Sequence, residues 1–196
     1  MLRIAIIIIT LSLVPVLLAG DTVSICGREF ELPNYWSGGR IPDSLLANRS
    51  ELAPLPAELS LEGDEIYLLR PARDALLRLV ETAKKDGIEL TIKSGFRSVE
   101  YQEKVWHKYF DMGVPFEGII NSIAPPGYSE HHTGRAVDFH PNVADFVGTW
   151  EYWWLENNAH KFGFRQSYTE GEGIRKEPWH WYFEEIHQKV AVNDSI

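Results

Sequence analysis

Ser129-Glu130-His131-His132-Thr133-Gly134-Arg135-Ala136-Val137-Asp138 and, further along, Glu177-Pro178-Trp179-His180-Trp181 are the stretches on which the reading of this chain turns. Together they supply the parts a mononuclear zinc hydrolase needs: two imidazoles, a ligand carboxylate and a second carboxylate for proton transfer. Asp138 lies between Val137 and Phe139 in a strand candidate running from Ala136 to His140, and strand alternation puts it on one face with Ala136 and His140. A lone carboxylate there is costly unless it pairs with a cation or coordinates a metal, and His131, reached across a turn at Gly134, is placed to share an ion. Taken alone, this segment reads equally well as a structural Asp beside a hydrogen-bonded His. The second segment shifts the balance, because His180 alternates with Trp179 and Trp181 and so turns its ring away from them. His131, Asp138 and His180 leave one position of a tetrahedron open, the pattern of a catalytic rather than a structural zinc. Two imidazole donors favour zinc over magnesium or calcium.

Glu177 precedes Pro178, whose ring biases the preceding residue toward extended backbone and stiffens the approach to His180. On its own it reads as a solvated acid beside Lys176. Next to a metal it becomes a base able to move a proton between water and a leaving amine.

Outward from these segments, Pro71 opens a helix with Ala72, Ala75, Leu76, Leu79, Val80 and Ala83 on one stripe, ended by Asp86-Gly87. Ile88 to Lys93 alternates as a strand, followed by the Ser94-Gly95-Phe96-Arg97-Ser98 turn. Ser98 caps a further helix whose inward face carries Gln102, Val105, Trp106 and Tyr109; a polar residue on that face wants a partner. Residues 111–128, rich in Gly and Pro, read as loop, Thr149 to His160 as a helix and Pro178 to Glu184 as a strand. Gly171 and Gly173 mark a loop before that strand. Residues 21–63, with scattered Pro, Gly, Asn and Ser and no periodicity, read as an irregular arm. The tryptophans 150, 153, 154, 179 and 181 are expected in the core rather than on a carbohydrate platform.

With 196 residues and 44% hydrophobic content, the chain can bury one substantial core but not two large ones. Its formal charge of −9 opposes binding to phosphate backbones, so no nucleic-acid partner is expected, and a monomer is. A single cysteine, Cys26, excludes an internal disulfide and a multi-cysteine zinc site, and reads as a small loop residue. Residues 1–20 carry Arg3 and then an apolar run from Ile4 to Ala19, shorter than a bilayer span and broken by Pro15, as in an export signal. Cleavage near Ala19 or Gly20 puts Leu17 or Leu18 where a small residue is preferred, so a cleaved signal peptide and an N-terminal membrane anchor both stay open. Asp21, where a lipoprotein would need cysteine, disfavours lipidation. The expected location is the periplasm or cell envelope.

SEHHTGRAVD and EPWHW, preceded by SGFRSVEYQ, resemble the VanY-type D-alanyl-D-alanine carboxypeptidases, part of a wider zinc peptidase group with the VanX-type dipeptidases and the hedgehog-like fold. The resemblance covers residues 64 to 186 and implies a catalytic domain over 64–190. It implies an α+β fold in which a small antiparallel sheet carries one zinc ion between flanking helices. By similarity His131, Asp138 and His180 bind the metal, Glu177 is the general base, Arg97 stabilises the oxyanion, and Gln102 and Ser129 contact the end of the peptide. The implied substrate is the terminal D-Ala of peptidoglycan stem peptides. An L,D-carboxypeptidase, an endopeptidase or dipeptidase, and a non-catalytic zinc-stabilised binding module are the rival readings. His132 stands where Gln is more usual in VanY-type sequences; it is expected to face the substrate rim or a backbone carbonyl, and His140 to lie at the rim or behind the ligands.

Overall fold

The computed structural model describes residues 20–168 and 176–185. The expected signal or anchor (but for Gly20), the loop at Gly171 and Gly173, and the chain beyond residue 185 lie outside the described residues.

The first described element corrects an expectation. Residues 21–63 are not uniformly irregular: β1 (Thr22–Ile25) and β2 (Arg28–Glu31) form an antiparallel hairpin, and β3 (Leu52–Pro54) pairs with β4 (Tyr67–Leu69). The hairpin turns through Cys26 (φ 53°) and Gly27 (φ 72°), two left-handed residues whose twist matches that of the flanking strands. Short 3-10 turns join these pieces, among them Asn34–Trp36.

Helix α1 (Arg70–Lys85) follows its sequence pattern closely. Pro71 sits in the first turn, where its missing N–H costs no hydrogen bond, and Ala72, Ala75, Leu76, Leu79 and Ala83 form the buried stripe, with Val80 half-buried. Leu76 and Leu79 are fully enclosed, each contributing about 1.5–3 kcal/mol of burial. The strand after it is shorter than expected: β5 is Ile92–Ser94 rather than Ile88 to Lys93. Its partner fixes the difference, because Ile92 is already opposite Phe139, the last residue of the neighbouring strand.

Ser98 caps α2 (Val99–Asp111), its hydroxyl accepting from Tyr101 N–H at 3.1 Å. Residues 111–128 are not all loop. A short helix, α3 (Phe116–Ile120), begins after Pro115, and Ile119 and Ile120 bury against Trp36 and Trp106. Then come β6 (Ala136–Phe139) and α4 (Trp150–Asn158), the latter capped by the Thr149 hydroxyl, then β7 (Phe164–Gln166) and β8 (His180–Phe183). β6 stops before Pro141, which has no N–H for the ladder, and β8 starts two residues late because Pro178 and Trp179 form a turn, with His180 N–H donating to Glu177 O.

Strands β5 to β8 make the central antiparallel sheet in the order β5-β6-β8-β7. This is an α+β fold. One hydrophobic cluster packs α1 and α4 with the sheet and includes Trp154, Trp179 and Trp181. A second joins the β1–β2 hairpin and Trp36 to Trp106 of α2, Ile119, Ile120 and Tyr128. Trp150 and Trp153 depart from the expected core position: they are 74% and 57% exposed and stack edge to face on each other.

Candidate active site

Asp138 is the centre of the site, and the sheet register puts it there. On β6 it is paired with Ser94 of β5 on one side and His180 of β8 on the other. Its Oδ1 lies 2.9 Å from His180 Nδ1 and its Oδ2 lies 3.2 Å from His131 Nε2. His131 arrives from a 3-10 turn over Glu130–Thr133, which ends at Gly134 with φ 65°. A Cβ on Gly134 would come within 3.1 Å of Leu69 N, so the close approach of the two chains requires glycine there as much as the left-handed backbone does.

All three ligand candidates are buried, and one donor atom from each lies within 4.8 Å of the others. The donor chemistry fits a zinc ion: two imidazoles and one carboxylate whose donor atoms converge. Each ring's second nitrogen is held from behind. His131 Nδ1–H donates to Gly95 O at 2.7 Å, and His180 Nε2 faces Glu130 Oε2 at 2.9 Å. Tyr168 stacks on His180 with ring centres 4.6 Å apart.

The electrostatics follow from this packing. Burial pushes the Asp138 carboxyl up, but His131 and His180 outweigh it and hold the group well below the usual carboxylate range. Burial also favours neutral His180, yet its hydrogen bonds to Asp138 and Glu130 win and push the imidazole up to about 10. For His131 burial prevails over Asp138, and the ring is pushed below its ordinary value.

A cavity of about 570 Å³ opens beside this cluster, between the two hydrophobic cores. His131, Asp138 and His180 line one part of it together with Glu177, Arg97, Gln102 and Ser129, so every sequence-predicted site residue borders the same space. Tyr35, Trp36, Ile119 and Ile120, which belong to or pack against the second hydrophobic cluster, also line it. Arg97 is held in place: Nη1 donates to Gln102 Oε1 at 2.8 Å and Nη2 to Ser94 Oγ at 3.2 Å. Gln102, fully buried, also donates to Ala124 O at 2.6 Å, which supplies the partner its helix face demanded. Ser129 Oγ accepts from His131 N–H at 3.4 Å, at the start of the ligand-bearing turn.

His132 is not a ligand. Its Nδ1–H donates to Arg97 O at 2.6 Å and its Nε2 accepts from Gly127 N–H, so it braces the backbone that carries Arg97. His140 gives no donor atom to the cluster and does not line the cavity. Glu130 was missed by sequence reading. A glutamate one residue before a histidine gives no periodic signal, and only the fold brings it to His180, 50 residues away.

The family described as VanY, D-alanyl-D-alanine carboxypeptidase, aligns with residues 65–186. The Bacillus subtilis protein YodJ is 38% identical over 147 residues, covering 67% of this chain and 52% of its own length. The chain spans about half the length of the curated relatives it matches, between 43% and 60%. Among solved structures, the LdcB LD-carboxypeptidase superposes with a TM-score of 0.62 at 26% identity, covering 84% of each chain. The vancomycin-resistance D,D-pentapeptidase VanY, a glutamate-to-alanine mutant in complex with Zn(II), superposes with a TM-score of 0.50 at 30% identity, over 71% of this chain and 87% of its own.

Proposed function

The chain belongs to the VanY D-alanyl-D-alanine carboxypeptidase family, and on that premise we propose that it is a zinc-dependent carboxypeptidase that removes the terminal D-Ala from peptidoglycan stem peptides. The observation that carries this reading is the meeting of the His131, Asp138 and His180 donor atoms on one cavity wall with Glu177 and Arg97.

In the proposed reaction His131, Asp138 and His180 hold one zinc ion. When bound, zinc supplies a Lewis acid that polarises the scissile carbonyl and acidifies water. Glu177 takes the proton of the attacking water and returns it to the departing D-Ala amine. Arg97 donates to the oxyanion that develops on the carbonyl, a role suited to a guanidinium charged at any working pH and already oriented by Gln102 and Ser94. Ser129 and Gln102, which line the cavity beside the cluster, contact the terminal residue, and Tyr35, Trp36, Ile119 and Ile120, which line the same cavity, take the body of the stem peptide. Stem peptides lie outside the cytoplasmic membrane, which agrees with reading the apolar run Ile4–Ala19 as an export signal or anchor and with action in the cell envelope.

A second reading, L,D-carboxypeptidase action on tetrapeptides, is favoured by the likeness to LdcB, which extends over 84% of the chain against 71% for VanY. Purified protein incubated with defined stem peptides separates the two. Release of D-Ala from a pentapeptide ending in D-Ala-D-Ala, with the tetrapeptide untouched, is the expected result; the reverse pattern overturns the D,D assignment in favour of the second reading.

A further inference from the structure

The two histidines of the cluster present opposite ring nitrogens to it. His131 turns Nε2 inward, because its Nδ1–H is taken by the carbonyl of Gly95 at 2.7 Å. His180 turns Nδ1 inward, 2.9 Å from Asp138 Oδ1, and its Nε2 outward to Glu130 Oε2, also at 2.9 Å. A neutral imidazole has one lone pair to give, and the group on its far nitrogen decides which atom carries it. For His180 that group is the Glu130 carboxylate.

Glu130 is itself fixed. Its Oε2 accepts from the Ser167 hydroxyl at 2.5 Å, and its side chain is only 20% exposed against 1% for His180. Tyr168, the residue after Ser167, stacks on the His180 ring. Glu130 also opens the 3-10 turn that delivers His131, so a single turn supplies one ligand and the rear partner of another.

We propose that Glu130 is a positioning residue of the metal site: it holds the proton of neutral His180 on Nε2, thereby aiming the Nδ1 lone pair at the ion, and raises the basicity of that ligand. Ser167 orients Glu130 for this task. The inference rests on reading His131, Asp138 and His180 as a zinc site.

The test is a zinc titration of metal-stripped protein against a competing chromophoric chelator, for the wild type and for Glu130→Gln, Glu130→Ala and Ser167→Ala, with melting of each metal-free protein recorded alongside. Wild type is expected to take up one zinc ion. Both Glu130 variants are expected to bind zinc about 10–100-fold more weakly, alanine more than glutamine, because the amide oxygen of Gln still accepts from Nε2–H without its charge. Ser167→Ala is expected to weaken binding by less than Glu130→Gln does. Cobalt-loaded Glu130→Gln should show a shifted visible absorption, which a partner of merely structural importance would not produce. If Glu130→Ala fails to fold, the near-isosteric Glu130→Gln decides. Glu130→Gln with wild-type zinc affinity and cobalt spectrum overturns the proposal, even if its metal-free form melts lower. A wild type that binds no zinc instead overturns the reading of the site, and the proposal with it.

Discussion

Asp138 and His180 face each other across the β6–β8 ladder and meet at 2.9 Å although 42 residues of chain separate them. This contact makes the stability of the metal-free protein depend on pH in a defined way. The His180 pKa is raised from an ordinary 6.5 to about 10 in the fold. Its stabilising contribution is therefore complete below pH 6.5 and is lost as pH rises through 10. His131 and His132 are shifted the other way, so theirs is present above pH 6.5 and lost as pH falls below it. Glu130 and Asp138, both lowered from 4.5 and 3.8, lose theirs at still lower pH. The melting temperature of metal-free protein is expected to peak near pH 6.5 and decline on both sides. A zinc ion held by His131, Asp138 and His180 would take the place of the His180 Nδ1 proton, so the zinc-loaded form should lack the alkaline decline. A metal-free melting temperature that stays flat from pH 6.5 to 10 would contradict the role given to the pair.

Glu177 and His180 stand three residues apart around Pro178 and border the same cavity, yet the proposal gives them separable work. Glu177→Gln is expected to keep one zinc ion per chain and lose about 10²–10⁴-fold in kcat, the usual contribution of a positioned general base. His180→Ala is expected to lose both metal and turnover. Metal analysis beside D-Ala release checks the pair, and normal turnover in the Glu177 variant would sink the assigned mechanism.

What the sequence made legible depended on how local the signal was. Helix α1 could be read because its apolar residues recur at helical spacing and Pro71 marks the first turn. The candidate ligand set could be read because His131 and Asp138 share one segment and His180 stands in an alternating one. The β1–β2 hairpin could not, because its turn is Cys26-Gly27 rather than a familiar Asn-Gly pair and its strands are four residues long. Helix α3 was hidden by the glycines and prolines around it, although Pro115 is where a helix start tolerates proline. Trp150 and Trp153 belong to the same aromatic run as the buried Trp154, and helix α4, with tryptophans on both faces, gives no apolar stripe to sort them. The insertion of β8 between β6 and β7, which brings Glu130 to His180, is a matter of topology that no local pattern encodes.

Arg97 owes its orientation to Gln102, which is fully buried and accepts its guanidinium N–H at 2.8 Å. Gln102→Ala removes that acceptor and also the donor to Ala124 O. Ala124 O still accepts from Trp106 Nε1–H and Arg97 still donates to Ser94 Oγ, so the loss is that of the charge-assisted Gln102–Arg97 hydrogen bond, about 1.5–3 kcal/mol, and a lower melting temperature is expected. If Arg97 acts mainly on the developing oxyanion, kcat should fall more than KM rises. Steady-state kinetics on a single stem peptide reads this split, and a change confined to KM would assign the Gln102–Arg97 pair to ground-state binding instead.

Gly95 ties backbone packing to the metal site. Its carbonyl accepts from His131 Nδ1–H at 2.7 Å, while a Cβ at this position would lie 2.6 Å from Ile66 Cγ2 and 2.7 Å from Tyr67 O. The Ile66 methyl can rotate away, but the Tyr67 carbonyl belongs to β4 and itself accepts from Phe96 N–H. In Gly95→Ala the β5 end must therefore move, and the His131 contact moves with it. The variant is expected to lose about 1–3 kcal/mol of stability, as overpacked sites do, and to bind zinc more weakly because the His131 tautomer is no longer held. Gly87→Ala provides the contrast. Gly87 has φ 81° with nothing within 4 Å of an added Cβ, so that substitution strains the backbone at the end of α1 without touching the site. It should lower the melting temperature and leave zinc affinity unchanged. Equal zinc affinities in the two variants would show that the Gly95 carbonyl does not set the His131 ring.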